Sequence, residues 1–136
     1  MGEIDMDARI TYDTDAKLAY LYLFPASAFY QIQETEELEV NPSLLLDIDS
    51  EGRIVGIELF GMLAEKIAPL SGAEHIYTMH DEMFSFYLSS QEVHATFVFN
   101  GIKFCFADAD YQDFVGFDVI DSNLYERQLL MQLVKP

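Results

Sequence analysis

The fold is most readily inferred from one acidic segment near the middle of the chain. It reads Asp47-Ile48-Asp49-Ser50-Glu51-Gly52-Arg53-Ile54-Val55-Gly56-Ile57-Glu58-Leu59. Apolar residues that alternate with polar ones on both sides of a short Ser-Glu-Gly stretch are typical of a β-hairpin. We therefore predict strands over residues 44–49 and 53–60. In the turn between them, Gly52 is expected to adopt a positive φ and the aspartates to accept hydrogen bonds from backbone amides.

The same segment also fits the spacing of a calcium-binding loop. Asp47, Asp49, Glu51, Gly52 and Glu58 stand where such a loop has its ligands and its glycine. An EF-hand needs helices on both sides of the loop, whereas the flanking patterns predict strands. An extended chain rises about 3.3 Å per residue, so Glu58 would lie too far along its strand to reach an ion held by Asp47. We favour the hairpin and expect no metal site, with weak cation binding at the acidic turn left open.

A second segment repeats the pattern. Asp108-x-Asp110 is followed by a Val-Gly-apolar-acid-apolar strand in which Gly116 matches Gly56, with one residue deleted in the second turn. This similarity predicts two degenerate copies, at residues 8–68 and 76–134. The joint at 69–75 is too short for an independent linker. Chance similarity between two hairpins is the alternative, because hairpins share turn chemistry.

Each copy is predicted to be an antiparallel β-meander followed by a helix. The strands are expected at 9–12, 18–24, 33–40, 44–49 and 53–60 in the first copy, and at 76–79, 83–88, 93–99, 102–107 and 114–120 in the second. Asn41-Pro42 is interpreted as a turn, and Asn100-Gly101 is a strong hairpin signal. Helices are expected at 61–67 and about 124–134.

The second helix would begin with a capping box made by Asn123 and Glu126. The predicted class is therefore α+β, with two tandem units packed as one pseudo-symmetric domain over residues 1–136. Gly56 and Gly116 are expected to mark a close backbone approach or a bulge in equivalent strands.

The first copy resembles a bacterial family known as domain of unknown function 2283. The resemblance rests on Ile10-Thr11-Tyr12-Asp13, on Ala19-Tyr20-Leu21-Tyr22-Leu23 and on the Asp-x-Asp-x-x-Gly-Arg-apolar-apolar-Gly-Ile-Glu pattern that begins at Asp47. It covers about residues 9–67 and departs from the family pattern at Lys17, while the C-terminal half is similar to a degenerate copy without Gly-Arg. The resemblance implies a small β-sheet domain with a helix and no established activity or catalytic residues. The resemblance also implies an antitoxin or partner-binding role, because some members of the family accompany small toxin-like proteins.

The charge balance restricts the classes of partner. The chain has 24 acidic residues against 7 Lys and Arg, a net charge of −17. Such a surface repels nucleic-acid phosphates and anionic membranes, whereas it attracts basic partners and keeps the protein soluble. A single cysteine forms no intramolecular disulfide, and Met1-Gly2-Glu3-Ile4-Asp5 lacks the pattern of a signal peptide. We therefore expect a cytoplasmic protein. The most apolar stretch, 18–30, is broken by Pro25 and too short to span a membrane.

No residue pattern predicts a catalytic, cofactor or metal site. Cys105 lies on a predicted inner strand and is expected to be a buried small hydrophobe. Asp108 and Asp110 resemble the Asp-x-Asp of sugar-nucleotide transferases, but the βαβ rhythm of those enzymes is missing. The histidines, which do not have ligand spacing, are His75, His80 and His94.

The sequence thus favours a non-enzymatic interaction or structural module that binds a protein partner with a basic surface. A homodimer is compatible with the same features. The alternative is a small-molecule or metal-dependent enzyme that uses an acidic cleft, so the question of enzyme activity stays open. A deep pocket with converging acids would favour the enzyme. A flat acidic or apolar patch would favour the binding module.

Salt should stabilise this protein, because most of its 24 carboxylates have no basic partner among the 7 Lys and Arg and repel one another. The screening length falls from about 30 Å at 0.01 M salt to about 8 Å at 0.15 M. Thermal melts at pH 7 should therefore give a higher Tm at the higher sodium chloride concentration, with an uncharged osmolyte as control. A Tm that drops with salt would show that attractive ion pairs dominate.

Overall fold

The computed structural model of the chain describes residues 5–136, so Met1–Ile4 and the signal-peptide question lie outside it. The first sheet contains β1 (Ile10–Asp13), β2 (Leu18–Tyr22), β3 (Ile32–Leu38), β4 (Asn41–Asp49) and β5 (Ile54–Phe60). The second contains β6 (Thr78–His80), β7 (Met83–Tyr87), β8 (Ala95–Phe99), β9 (Ile102–Phe106) and β10 (Phe114–Val119). Helix α1 spans Met62–Ile67 and continues as a 3₁₀ turn, and α2 spans Arg127–Met131. None of the helices in this range is long and apolar enough to cross a membrane.

Both sheets are antiparallel and have the same strand order. The first runs β1-β2-β5-β4-β3 and the second β6-β7-β10-β9-β8. Gly56 pairs with Asp47 and Tyr22, and Gly116 pairs with Cys105 and Tyr87. The two glycines therefore hold equivalent places in the two central strands.

The predicted match of Asp47 with Asp108 is wrong. Asp47 pairs with Gly56 and Cys105 pairs with Gly116, so the residue of the second sheet that is equivalent to Asp47 is Cys105. The sequence comparison assumed one residue fewer in the second turn. In the structure the connection between the paired residues Phe106 and Phe114 is longer than the one between Ile48 and Ile54.

One hydrophobic core lies between the sheets. The inner face of the first sheet contributes mainly aliphatic side chains such as Leu21, Leu46 and Ile57, and the second contributes Phe rings such as Phe104 and Phe117. Alternation along the strands places these residues on one face, as in a sandwich of two sheets. Buried hydroxyls also join the halves. Tyr77 donates to the carbonyl of Leu23 at 2.8 Å.

The protein is mostly β, and its helical part is smaller than the sequence predicted. Where a helix over 124–134 was predicted, α2 covers only five residues. The capping box is wrong: Glu126 has a left-handed φ of 57° at the start of α2, and the helix has no side-chain cap. Tertiary contacts explain why the helix is shorter than predicted. The fully buried Tyr125 accepts from the Ile54 amide at 2.9 Å and donates to the Asn100 carbonyl at 2.8 Å, which holds the chain in a turn.

The predicted turn at Asn41-Pro42 is also displaced. The chain turns at residues 39–40, and Asn41 and Pro42 begin β4. Asn41 is buried, donates its side-chain amide to the carbonyl of Tyr111 at 2.9 Å, and accepts from the Ser43 amide at 2.9 Å. This link to the second half stabilises the extended conformation, and proline is tolerated at the start of a strand.

The hairpin inferred from residues 47–59 is confirmed, and its turn is built around Asp49. One oxygen of Asp49 accepts the amides of Glu51 (3.0 Å) and Arg53 (2.9 Å), and the other accepts the Arg53 Nε at 2.8 Å. Gly52 has the expected positive φ, 83°. Asp47 does not bond to backbone amides, contrary to the prediction, because β4 directs its side chain to the outer face of the sheet.

Arg53 joins this turn to the second half of the chain. Its side chain is only 2% exposed, and its guanidinium lies 4.9 Å from the Phe24 ring centre. Nη2 lies 3.1 Å from the carboxylate of Glu51, and Nη1 lies 3.3 Å from that of Glu126. Burial alone would lower the pKa of Arg53, but the hydrogen bond and charge of Asp49 raise it. The guanidinium is therefore charged and buried, and it links the two halves of the chain.

Replacing Arg53 with Ala should destabilise the fold by about 3–5 kcal/mol, because the buried carboxylate of Asp49 would lose its partner. The matched control is Arg127→Ala. Arg127 makes one exposed hydrogen bond to the Glu82 carbonyl and lies over the Phe84 ring, so its loss should cost about 1 kcal/mol or less. Urea unfolding measures both. Equal losses would contradict the assigned role of Arg53.

Candidate functional site

The outer faces of the two sheets carry similar polar clusters. In the first sheet, Asp47 accepts from the hydroxyls of Tyr20 at 2.5 Å and Thr35 at 2.6 Å. In the second, Asp118 accepts from Ser85 at 2.6 Å and Tyr87 at 3.0 Å. Each carboxylate is thus held by one tyrosine and one smaller hydroxyl. Such satisfied networks are typical of packing on a sheet face.

The similar geometry of the two clusters depends on the two central glycines. A Cβ placed on Gly56 would lie 1.8 Å from the Tyr20 hydroxyl oxygen. One placed on Gly116 would lie 2.1 Å from the carbonyl oxygen of Phe86 and 2.7 Å from the Tyr87 ring. The expected close approach is therefore present at both positions. Here the glycines make room for tyrosine rings on the sheet surface.

Cys105 is buried as predicted, but its surroundings are polar. Its Sγ lies 3.6 Å from the Tyr87 hydroxyl and 4.0 Å from a carboxylate oxygen of Asp118, and the Lys103 ammonium lies 3.5 Å from that carboxylate. Burial raises the pKa of the Cys105 thiol, Asp118 raises it further, and Tyr87 and Lys103 oppose the shift. A thiol that keeps its proton is a poor nucleophile.

The other residues that the sequence singled out are not brought together. His75, His80 and His94 are all exposed and lie on separate segments. Asp108 accepts from the backbone amides of Gln112 and Asp113, so it stabilises a turn. Within residues 5–136, no group of three or more His, Cys, Asp or Glu side chains is arranged to hold a metal ion.

One groove combines acidic and aromatic side chains. It has a volume of about 200 Å³ and runs between β3, an edge of the first sheet, and β8, an edge of the second. Its lining consists of Glu36, Glu37, Leu38, Glu39, Phe97 and Phe99. We call these six residues the edge groove. Leu38 is buried in its floor, and the two phenylalanine rings are half-buried.

The glutamates of the edge groove are free to bind a cation. Glu36, Glu37 and Glu39 are exposed, and none of them has an ion pair among the described side chains. A Lys or Arg side chain could rest its aliphatic stem on Phe97 or Phe99 and place its charge beside these carboxylates. The edge groove therefore has the chemistry of a site for long basic side chains.

The edge groove was missed by sequence reasoning because its two walls come from different sheets. The acidic run Glu34–Glu39 and the alternating Phe97 and Phe99 were visible separately, but their contact depends on how the sheets pack. A larger pocket of about 550 Å³ is lined partly by Phe60, Met62 and Lys66. There the Lys66 ammonium is already bonded to Asp113, so its charge is not available to select a ligand.

Comparisons with known proteins identify relatives without an assigned activity. A family model described as "Protein of unknown function (DUF2283)" matches residues 9–62. The uncharacterized protein YuzE of Bacillus subtilis (strain 168) is 39% identical over 127 residues, which cover 93% of this chain and 97% of that protein. The similarity therefore extends over both sheets. No solved structure matches.

The protein should lose stability at alkaline pH. Burial is the main cause of raised pKa values for Tyr20, Tyr77, Tyr87, Tyr125 and Cys105. Above the unfolded pKa values, about 8.5 for Cys and 10 for Tyr, the unfolded chain releases protons that the folded chain retains. The contribution of these groups to the free energy of unfolding should therefore be constant below those values and fall as the pH rises toward the folded pKa values. Urea unfolding from pH 7 to pH 11 measures this fall.

The Tyr87→Phe variant is the control for that experiment, because it removes one of the raised hydroxyls. Its stability should fall less steeply with pH than that of the wild type. A wild-type stability that stays level up to pH 11 would contradict the assigned burial.

Proposed function

The chain belongs to the DUF2283 family of proteins of unknown function, and we propose that this member is a non-enzymatic, cytoplasmic module that binds a basic protein partner. The observation that carries the proposal is the edge groove, which is lined by glutamates without ion pairs in the described structure and by two half-buried phenylalanine rings. Carboxylates beside aromatic rings form a site that binds the cationic side chains of Lys and Arg.

The size of the edge groove supports a side-chain ligand. Pockets for drug-sized molecules have volumes of about 300–1,000 Å³, whereas this groove has about 200 Å³. It therefore suits long side chains of a partner better than a cofactor or metabolite.

The energies indicate a partner with several basic residues. One exposed ion pair contributes about 0.2–1 kcal/mol, and a cation over an exposed ring contributes about 0.5–1 kcal/mol. Single contacts of this strength give little affinity, so several must act together. The net charge of −17 increases the rate of encounter with a basic partner at low salt.

The charge favours a basic partner over a second copy of the chain. Two copies that met at the edge groove would bring Glu36, Glu37 and Glu39 of each close to those of the other. Like charges in contact oppose association, and two chains of −17 also repel at longer range.

The outer-face clusters support a structural role better than a catalytic one. The Ser85 hydroxyl already donates to Asp118, and the Cys105 thiol has a raised pKa. Ser85 and Asp118 are also both buried, which keeps a substrate away from this pair. The polar groups of these clusters instead satisfy one another.

We also propose that the two sheets are two copies of one unit, at residues 8–68 and 76–134 with the joint at 69–75. The shared strand order and the equivalent places of Gly56 and Gly116 support this repeat. The single core between the sheets supports one domain in place of two independent ones.

Calorimetric titration with a blocked hexapeptide of alternating lysine and valine tests the proposed function. The double variant Glu36→Gln and Glu39→Gln should bind about threefold to tenfold more weakly than the wild type, because two ion pairs are lost. Binding by the wild type should weaken as salt rises, and the variant should show a smaller salt dependence.

The matched control is the double variant Asp15→Asn and Asp81→Asn. It removes the same charge from exposed turns between β1 and β2 and between β6 and β7, at the far side of both sheets. Its affinity should stay within about twofold of the wild type. Equal weakening in both double variants would show that net charge alone attracts the peptide. No binding by the wild type would refute the proposal.

A further inference from the structure

We propose that the basic partner binds as an extended segment that adds a strand to β8 and so enlarges the second sheet. This inference rests on the proposed function, because the same segment would place its basic side chains in the edge groove. Strand addition of this kind takes its affinity from main-chain hydrogen bonds and its specificity from alternate side chains.

The edge strands differ in how well they are protected against pairing. Natural edges are kept short, carry charges, contain proline or are interrupted by bulges. β1 and β6 have only four and three residues. β3 is acidic and has two register shifts against β4. These three edges are poor templates for another strand.

β8 has none of these protections. It reads Ala95-Thr96-Phe97-Val98-Phe99, with no charge and no proline. It pairs with β9 in an unbroken register, and no other strand of the described chain pairs with it. A regular, apolar and exposed edge is a template for pairing with another chain.

The turn between β8 and β9 determines which backbone groups of β8 are free. Asn100 and Gly101 form a two-residue turn and both have positive φ, 47° and 77°, as in a type I′ hairpin. In such a hairpin the residues that flank the turn, Phe99 and Ile102, bond to each other. The alternation of antiparallel pairs then directs the amide and carbonyl groups of Thr96 and Val98 to the open edge.

The neighbouring charge identifies the kind of segment that fits. A strand paired to β8 would lie beside the carboxylates of Glu36, which shares the inward face of β3 with Leu38, and of Glu39 across the edge groove. Side chains alternate along a strand, so every second residue of the segment would face those carboxylates. The occupant is therefore an extended peptide segment with Lys or Arg at alternate positions.

Two substitutions of Val98 separate main-chain pairing from side-chain contact. Val98→Pro removes an amide that points to the open edge, and proline is tolerated on edge strands. Val98→Ala shortens the side chain and keeps the amide. With the lysine–valine hexapeptide, the Pro variant should bind about fivefold more weakly than the Ala variant, as expected for one hydrogen bond. Equal affinities of the two folded variants would overturn strand addition.

N-methylated peptides decide the question even where the Pro variant does not fold. Methylation of the peptide nitrogens at one set of alternate residues should abolish binding, and methylation of the other set should change it far less, because only one set faces β8. Equal binding by both methylated peptides would overturn strand addition while the proposed function stands. If the wild type does not bind the unmodified hexapeptide, the proposed function itself fails.

Discussion

A buried guanidinium costs several kcal/mol in lost hydration unless carboxylates and hydrogen-bond acceptors surround it. Arg53 is 2% exposed, and carboxylates from both halves of the chain lie around it, while its buried Nη1 has no hydrogen-bond partner among the described residues. Asp49 supplies the close partner within the hairpin, and Glu126 reaches Arg53 from the segment before α2. The turn and the position of the C-terminal segment therefore depend on the same charge. The second half has no arginine in its longer corresponding connection, so one such joint serves both sheets.

Contacts between residues distant in sequence, such as those of Arg53, explain which parts of the fold were predictable from sequence and which were not. The hairpin over 47–59, the positive φ of Gly52 and the Asn100-Gly101 turn follow from local chemistry, and each was predicted. The capping box was not a good prediction because Glu126 lies beside Arg53 and Tyr125 is buried, both through contacts distant in sequence. The turn at Asn41-Pro42 was displaced for a similar reason, since Asn41 bonds to Tyr111. Tertiary contacts overrode local preference at these places.

The acidic side chains of the surface fall into two groups, those that already have hydrogen-bond partners and those that have no ion pair. On the outer faces, Asp47 and Asp118 already receive hydroxyl hydrogen bonds, so these sheet surfaces are closed networks. The edge groove differs, because its glutamates have no ion pair in residues 5–136 and the adjoining β8 has open backbone groups. The sequence contained both components, but only the packing of the sheets places them side by side. Acidic composition alone would not distinguish this groove from a solvated surface.

Amide hydrogen exchange measured residue by residue by NMR tests the account most directly. The free protein should exchange the Thr96 and Val98 amides faster than the Phe97 amide, which is bonded to β9. Saturation with a basic extended peptide should slow Thr96 and Val98 by about tenfold or more and leave Phe97 nearly unchanged. Unchanged exchange at Thr96 and Val98, with the peptide bound, would contradict strand addition.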